Sequence, residues 1–177
     1  MIESPDLCHT PITPGFGSEL NGVTLTELTD DGVEALQQLA AERGVLVVRD
    51  QVMTVPQHAA FARRLGRLTS YPVRSEAVPP ELLRIRADEN SRVVAGQGWH
   101  SDISSEAMPP ALSMLRMEIV PGSGGDTLFA DMYQAFETLS PVVQELVQNL
   151  TARHDPKGHH LYLSGEKTLK ELPSQVH

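Results

Sequence analysis

His100 and Asp102 stand two residues apart, beside Trp99, in the run Gly98-Trp99-His100-Ser101-Asp102. A neutral imidazole and a carboxylate are both ligands of divalent metals. On a strand, residues i and i+2 share a face roughly 6–7 Å apart along the backbone, and side chains leaning together from there converge on one ion. Such a pair is two members of the 2-His-1-carboxylate set of non-haem Fe(II) oxygenases, which leaves coordination positions open for substrate and O2. The pair also serves as a plain His–Asp hydrogen bond with no metal, and His-x-Asp recurs by chance.

The elements that must position these residues are legible in outline. Residues 1–28 read as short extended pieces broken by Pro11, Pro14, Gly15, Gly17 and Gly22. Thr29 or Asp30 caps a helix running to Arg43, with Val33, Leu36, Leu39 and Ala40 on one face and Gly44 as its stop. The β-branched run Val45 to Val48 is a buried strand. Thr54 and Pro56 open a second helix, with Ala59, Ala60, Phe61 and Leu65 as its apolar stripe and Gly66 as its end. Between 67 and 98 the prolines and Asp88-Glu89-Asn90 indicate loop, with a short strand over Leu82 to Ile85; a connection of this length is more often functional than idle. Trp99 to Ile103 and Ala111 to Ile119 read as core strands, the second through Leu112, Met114 and Leu115, with Trp99 as a core anchor beside the pair. Gly124 and Gly125 serve a tight turn before a strand beginning at Thr127 to Ala130. Ser140-Pro141 starts a last helix with Val143, Leu146, Val147 and Leu150 on one face.

The bulk composition excludes several functions. With 14 Lys and Arg against 23 Asp and Glu, the formal charge is −9, and phosphate recognition needs the opposite balance, so nucleic acid is not an expected partner. An anionic substrate would need a few local arginines. No apolar run approaches the ~20 residues of a membrane span, and the N-terminus has neither a basic nor an apolar signal region. The single cysteine, Cys8, rules out an internal disulfide framework and suits a reducing compartment, so the cytoplasm is the expected location. Thirteen prolines and thirteen glycines favour a β-rich fold over a helical bundle.

The run Trp99-His100-Ser101-Asp102, then Pro109-Pro110, then Val120-Pro121-Gly122-Ser123-Gly124-Gly125-Asp126-Thr127-Leu128-Phe129-Ala130-Asp131-Met132, resembles the taurine/2,4-D dioxygenase (TauD/TfdA) family. So do Gly44 to Gln51, Phe61 to Gly66 and Ala135 to Ser140, in the family's order over nearly the whole chain. The resemblance implies an α+β, mainly β fold: an incomplete double-stranded β-helix (jelly roll) with flanking helices, as a single domain over residues 1–177. It implies an Fe(II)- and 2-oxoglutarate-dependent dioxygenase that hydroxylates a small organic substrate with O2 and releases succinate and CO2. His100 and Asp102 are then the metal ligands. Thr127 matches the family position whose hydroxyl bonds a carboxylate of 2-oxoglutarate; its plainer reading is an ordinary β-branched strand residue.

The chain also departs from the family pattern. Taurine-specific members carry a histidine where Tyr71 stands, a tyrosine in place of Arg74 and an asparagine near Gly96, which argues against taurine. Tyr71 and Arg74 are still the positions from which a substrate would be touched, Arg74 as the partner of an anionic head group or as a solvated surface cation. The family's distal histidine ligand and its 2-oxoglutarate arginine have no counterpart before the chain's end at Leu172-Pro173-Ser174-Gln175-Val176-His177, so a chain truncated at the C-terminus is expected. Unpaired sheet edges would then invite aggregation or pairing with another chain. Two alternatives follow: a catalytically inactive remnant with a partial metal site acting only as an interaction or assembly chain, and a zinc site that recruits His154, His159, His160 or His177 for hydrolysis.

Overall fold

The computed structural model describes residues 7–69, 79–88, 90–91, 96 and 98–154, together with the backbone of 175–176. The chain divides into two compact units. The first comprises Met1–Leu68 and Leu115–Leu139, the second Thr69–Met114 and Ser140–His177.

The first unit is built on a mixed three-stranded sheet in the order β1 (His9–Pro11), β2 (Ser18–Leu20), β3 (Leu46–Val48). Strands β1 and β2 pair antiparallel, His9 opposite Leu20 and Pro11 opposite Ser18. Strands β2 and β3 pair parallel, Ser18 opposite Leu46 and Leu20 opposite Val48. A parallel pair needs a crossover, and helix α1 (Asp30–Arg43) supplies it.

The sequence dictates both ends of α1. Thr29 is the N-cap, its hydroxyl accepting the Gly32 N–H at 3.2 Å. Asp30 and Asp31 lie in the first turn and Arg43 in the last, each complementing the helix dipole. Gly44 closes the helix at φ 72°, with its N–H bonded to the Ala40 carbonyl at 2.9 Å. A Cβ at position 44 would collide with the Phe16 ring, so both the conformation and the space demand glycine. Helix α2 (Val55–Arg64) opens on a reciprocal capping box: Gln57 N–H bonds the Thr54 hydroxyl, and Thr54 N–H bonds Gln57 Oε1 at 2.8 Å. Its buried stripe is His58, Ala59, Phe61 and Ala62; Ala60, expected there, is exposed.

The apolar core of this unit is Leu20, Leu25, Val33, Leu36, Met53, Ala59, Phe61 and Ala62. Two polar side chains lock its loops. Arg43 donates to Ser18 Oγ at 2.8 Å and to the carbonyls of Thr13, Pro14 and Gly17 at 2.8, 3.1 and 3.0 Å. Ser18 is fully buried. Gln51 accepts the Leu25 N–H at 2.9 Å and donates to the carbonyls of Val23 and Arg49 at 2.7 and 2.8 Å.

Residues 115–139 behave differently. Leu115, Met117 and Ile119 are 61, 52 and 87 % exposed, while the alternate Arg116 is half-buried. Arg116 donates to the Met53 carbonyl at 3.0 Å and to Glu118 Oε1 at 2.6 Å. Helix α3 (Met132–Glu137), capped by Asp131 accepting the Gln134 N–H at 3.0 Å, follows. In the second unit, α4 (Pro141–Val147) is shorter than the apolar pattern suggests, with Leu150 beyond it and no buried residue. The short strands β4 (Arg153–His154) and β5 (Gln175–Val176) pair antiparallel.

Four expected strands are therefore corrected. Residues 82–85, 99–103, 111–119 and 127–130 are not strands. Trp99, expected as a core anchor, is 72 % exposed. The physical reason is that a strand exists by its neighbours: apolar alternation favours pairing, but no ladder forms without a partner. Among the described residues these segments have none.

Candidate metal centre

The candidate site lies in the second unit, on a turn rather than a strand. The chain enters through Gly98 and Trp99, and turns over residues 102–105. Ile103 takes φ 49°, and its carbonyl accepts the Glu106 N–H at 3.1 Å. A β-branched residue in the left-handed region costs of order 1–3 kcal/mol, and such strain concentrates at functional sites. The pair therefore stands where the chain enters a turn, with His100 just before it and Asp102 its first residue, and not on a strand.

Each side chain of the pair is oriented by a different partner. His100 Nδ1 is 2.8 Å from the Gly98 carbonyl oxygen. A carbonyl only accepts, so Nδ1 donates to it, and Nε2 is the nitrogen that a neutral ring would offer to a metal. That Nε2 is 3.2 Å from Asp102 Oδ1. The other carboxylate oxygen, Oδ2, accepts the Ser113 hydroxyl at 2.6 Å, within the short range of a charge-assisted O–H bond. The imidazole is about one-third exposed and the carboxylate half exposed, so both donors can be reached from solvent.

The 3.2 Å separation tests the metal reading. Two donors on adjacent vertices of an octahedron with bonds of about 2.1–2.2 Å lie about 3.0 Å apart. The Nε2–Oδ1 edge is close to that value, so the donors present fit one ion by chemistry and by spacing. The same contact becomes an ion pair when the imidazole is doubly protonated, because a proton and a metal compete for one lone pair. Among the described residues no third His, Cys, Asp or Glu joins the pair.

The remaining sequence candidates are placed as follows. Thr127 belongs to the first unit and is exposed, two residues beyond Gly125, whose φ is 74°. Tyr71 and Arg74 lie outside the described residues, as do His159, His160 and His177. His154 sits in β4. Ser113 escaped the sequence reading; a serine in an apolar run carries no signal beyond its hydroxyl.

Comparison with known proteins bears on this arrangement. Residues 9–175 match the model of the family described as taurine catabolism dioxygenase TauD, TfdA family. An alpha-ketoglutarate-dependent sulfonate dioxygenase of Saccharomyces cerevisiae is 34 % identical over 158 residues, which is 82 % of this chain and 38 % of that protein. An (S)-phenoxypropionate/alpha-ketoglutarate-dioxygenase of Sphingobium herbicidovorans is 35 % identical over 155 residues, 85 % of this chain and 54 % of that protein. The crystal structure of a taurine dioxygenase from Burkholderia xenovorans superposes with a TM-score of 0.71 at 28 % identity, covering 85 % of this chain and 54 % of that one. The chain thus spans about half the length, or less, of the relatives it matches.

Proposed function

Because the chain belongs to the TauD/TfdA family, we propose that it serves as an Fe(II)- and 2-oxoglutarate-dependent dioxygenase acting on a small organic substrate, with the family's double-stranded β-helix as its fold. The observation that carries this reading is the 3.2 Å edge between His100 Nε2 and Asp102 Oδ1. The chemistry such a centre supplies when bound is hydroxylation of a substrate C–H bond by O2, coupled to conversion of 2-oxoglutarate to succinate and CO2.

The chain's own residues contribute ligation and orientation. His100 offers a neutral nitrogen whose tautomer is set by the Gly98 carbonyl, and Asp102 offers one oxygen while the other is held. The Thr127 hydroxyl is proposed to donate to a carboxylate of 2-oxoglutarate, a role open to a neutral donor. Tyr71 and Arg74 are proposed to face the substrate, Arg74 toward an anionic group. The names of the relatives, a sulfonate and a phenoxypropionate dioxygenase, are compatible with such a group.

A second reading is a chain that keeps the pair but acts only by assembly with another polypeptide. Anaerobic titration with Fe(II) and 2-oxoglutarate separates the two. The dioxygenase reading expects a saturable one-to-one visible charge-transfer band, lost with bound iron in His100→Ala. Unchanged iron content in that variant would refute the metal assignment, and no band in the unaltered chain would favour assembly.

A further inference from the structure

The aspartate of the pair has a problem that its neighbours must solve. The terminal torsion of an Asp side chain is broad and roughly two-fold, so neither oxygen is fixed by the backbone. A half-exposed carboxylate on a turn has water to bond from many directions. Yet here the two oxygens have distinct roles, Oδ1 toward His100 and Oδ2 toward Ser113.

Resting on the reading of His100 and Asp102 as metal donors, we propose that Ser113 is a positioning residue, whose hydroxyl holds Oδ2 and thereby aims Oδ1 at the metal position beside His100. Three observations support it. The Oγ–Oδ2 distance of 2.6 Å is shorter than the 2.8 Å His100–Gly98 and 3.2 Å His100–Asp102 contacts, and belongs to the charge-assisted class that is roughly twice as strong as a neutral bond. The hydroxyl has one proton, and donating it to Oδ2 leaves Oδ1 with its lone pairs free of that contact. The contact also spans eleven residues, closing the segment that contains the left-handed Ile103 and the Pro109-Pro110 dipeptide. Ser113 therefore ties the far end of this segment to the carboxylate at its start. His100 is held in a parallel way, through Gly98. Ligand partners of this kind shape affinity without touching the metal.

The test uses the full chain with Co(II) as the probe, because its visible bands report ligand geometry as well as occupancy. Ser113→Ala is expected to weaken Co(II) binding about tenfold or more and to shift the bands of the bound ion. The pair Ser113→Thr and Ser113→Val matches shape and differs in the hydroxyl, so Thr should restore affinity and spectrum while Val should not. Ser113 is exposed, so neither replacement has to fit a packed core. Equal affinity and identical spectra for the Thr and Val variants would overturn the positioning role while leaving the metal reading intact. Failure of the unaltered chain to bind Co(II), or binding unaffected by His100→Ala, would overturn the metal reading and this inference with it.

Discussion

Residues 9–64 and residues 98–154 contain apolar side chains of the same kinds, kept in opposite places. In the first region Leu20, Leu25, Val33, Leu36, Met53 and Phe61 are each less than a tenth exposed. In the second, Trp99, Met108, Leu115, Ile119, Leu128, Tyr133 and Leu146 are all more than half exposed. Propensity does not separate them. The earlier region has strands with ladder partners, and helices whose ends are satisfied by Thr29, Gly44, Thr54 and Gln57. The later region has two short helices and a two-residue strand, β4, paired with β5, and its other runs have no ladder among the described residues. Burial follows closure of the backbone's hydrogen bonds, and composition alone does not secure it.

The contrast can be broken most forcefully at Arg43. Its guanidinium gathers Ser18 and three carbonyls, and charged hydrogen bonds contribute about 1.5–3 kcal/mol each without adding fully. Arg43→Ala is expected to cost about 3 kcal/mol in urea unfolding; a loss below about 1 kcal/mol would show that the loops hold without it.

A smaller effect is expected from pH. His58 is buried on α2, and among the described residues its Nε2 has no hydrogen-bond partner. Burial, and behind it the Arg116 charge, hold its imidazole below the ordinary histidine value. The folded state then binds fewer protons at this site than the unfolded chain, so stability rises with pH through the window. The contribution is complete above about pH 6.5, the unfolded value, and is lost as pH falls toward the lower folded value. His58→Gln should flatten that part of the profile of urea midpoint against pH; an unchanged slope would assign it to other groups.

The smallest effect on stability is expected at Ile119. At 87 % exposure its replacement by lysine should change the unfolding free energy by less than about 0.5 kcal/mol. It should lower binding of an apolar dye, since exposed apolar rows mark contact surfaces. A large stability loss would mean that this side chain is covered in solution.

How much of this was legible follows the same division. Helix α1 and its glycine stop, the Thr54 start of α2 and the strand before it were readable, because caps and turns are local chemistry written in single residues. Strands over 99–103, 111–119 and 127–130 were not, since alternation records readiness to pair and says nothing of a partner. At the site, His100 and Asp102 announce themselves by type and spacing. The local backbone does not: Ile103, being β-branched, is among the residues least expected at positive φ, and it lies in a turn that begins at Asp102, where the sequence suggests a strand. Ser113 is silent for a related reason, because its role depends on a contact eleven residues away.

Cys8, finally, gives the molecule a spectroscopic address. It is the single cysteine and is exposed, while its backbone carbonyl is fastened to the Asn21 N–H at 2.9 Å, at the end of β2. A spin label attached there reports from the ordered sheet of the first unit. A paramagnetic ion at His100 and Asp102 would report from the second. Dipolar coupling between the two would turn the spacing of sheet and proposed metal centre into a directly measured length, with no mutation needed to place the label.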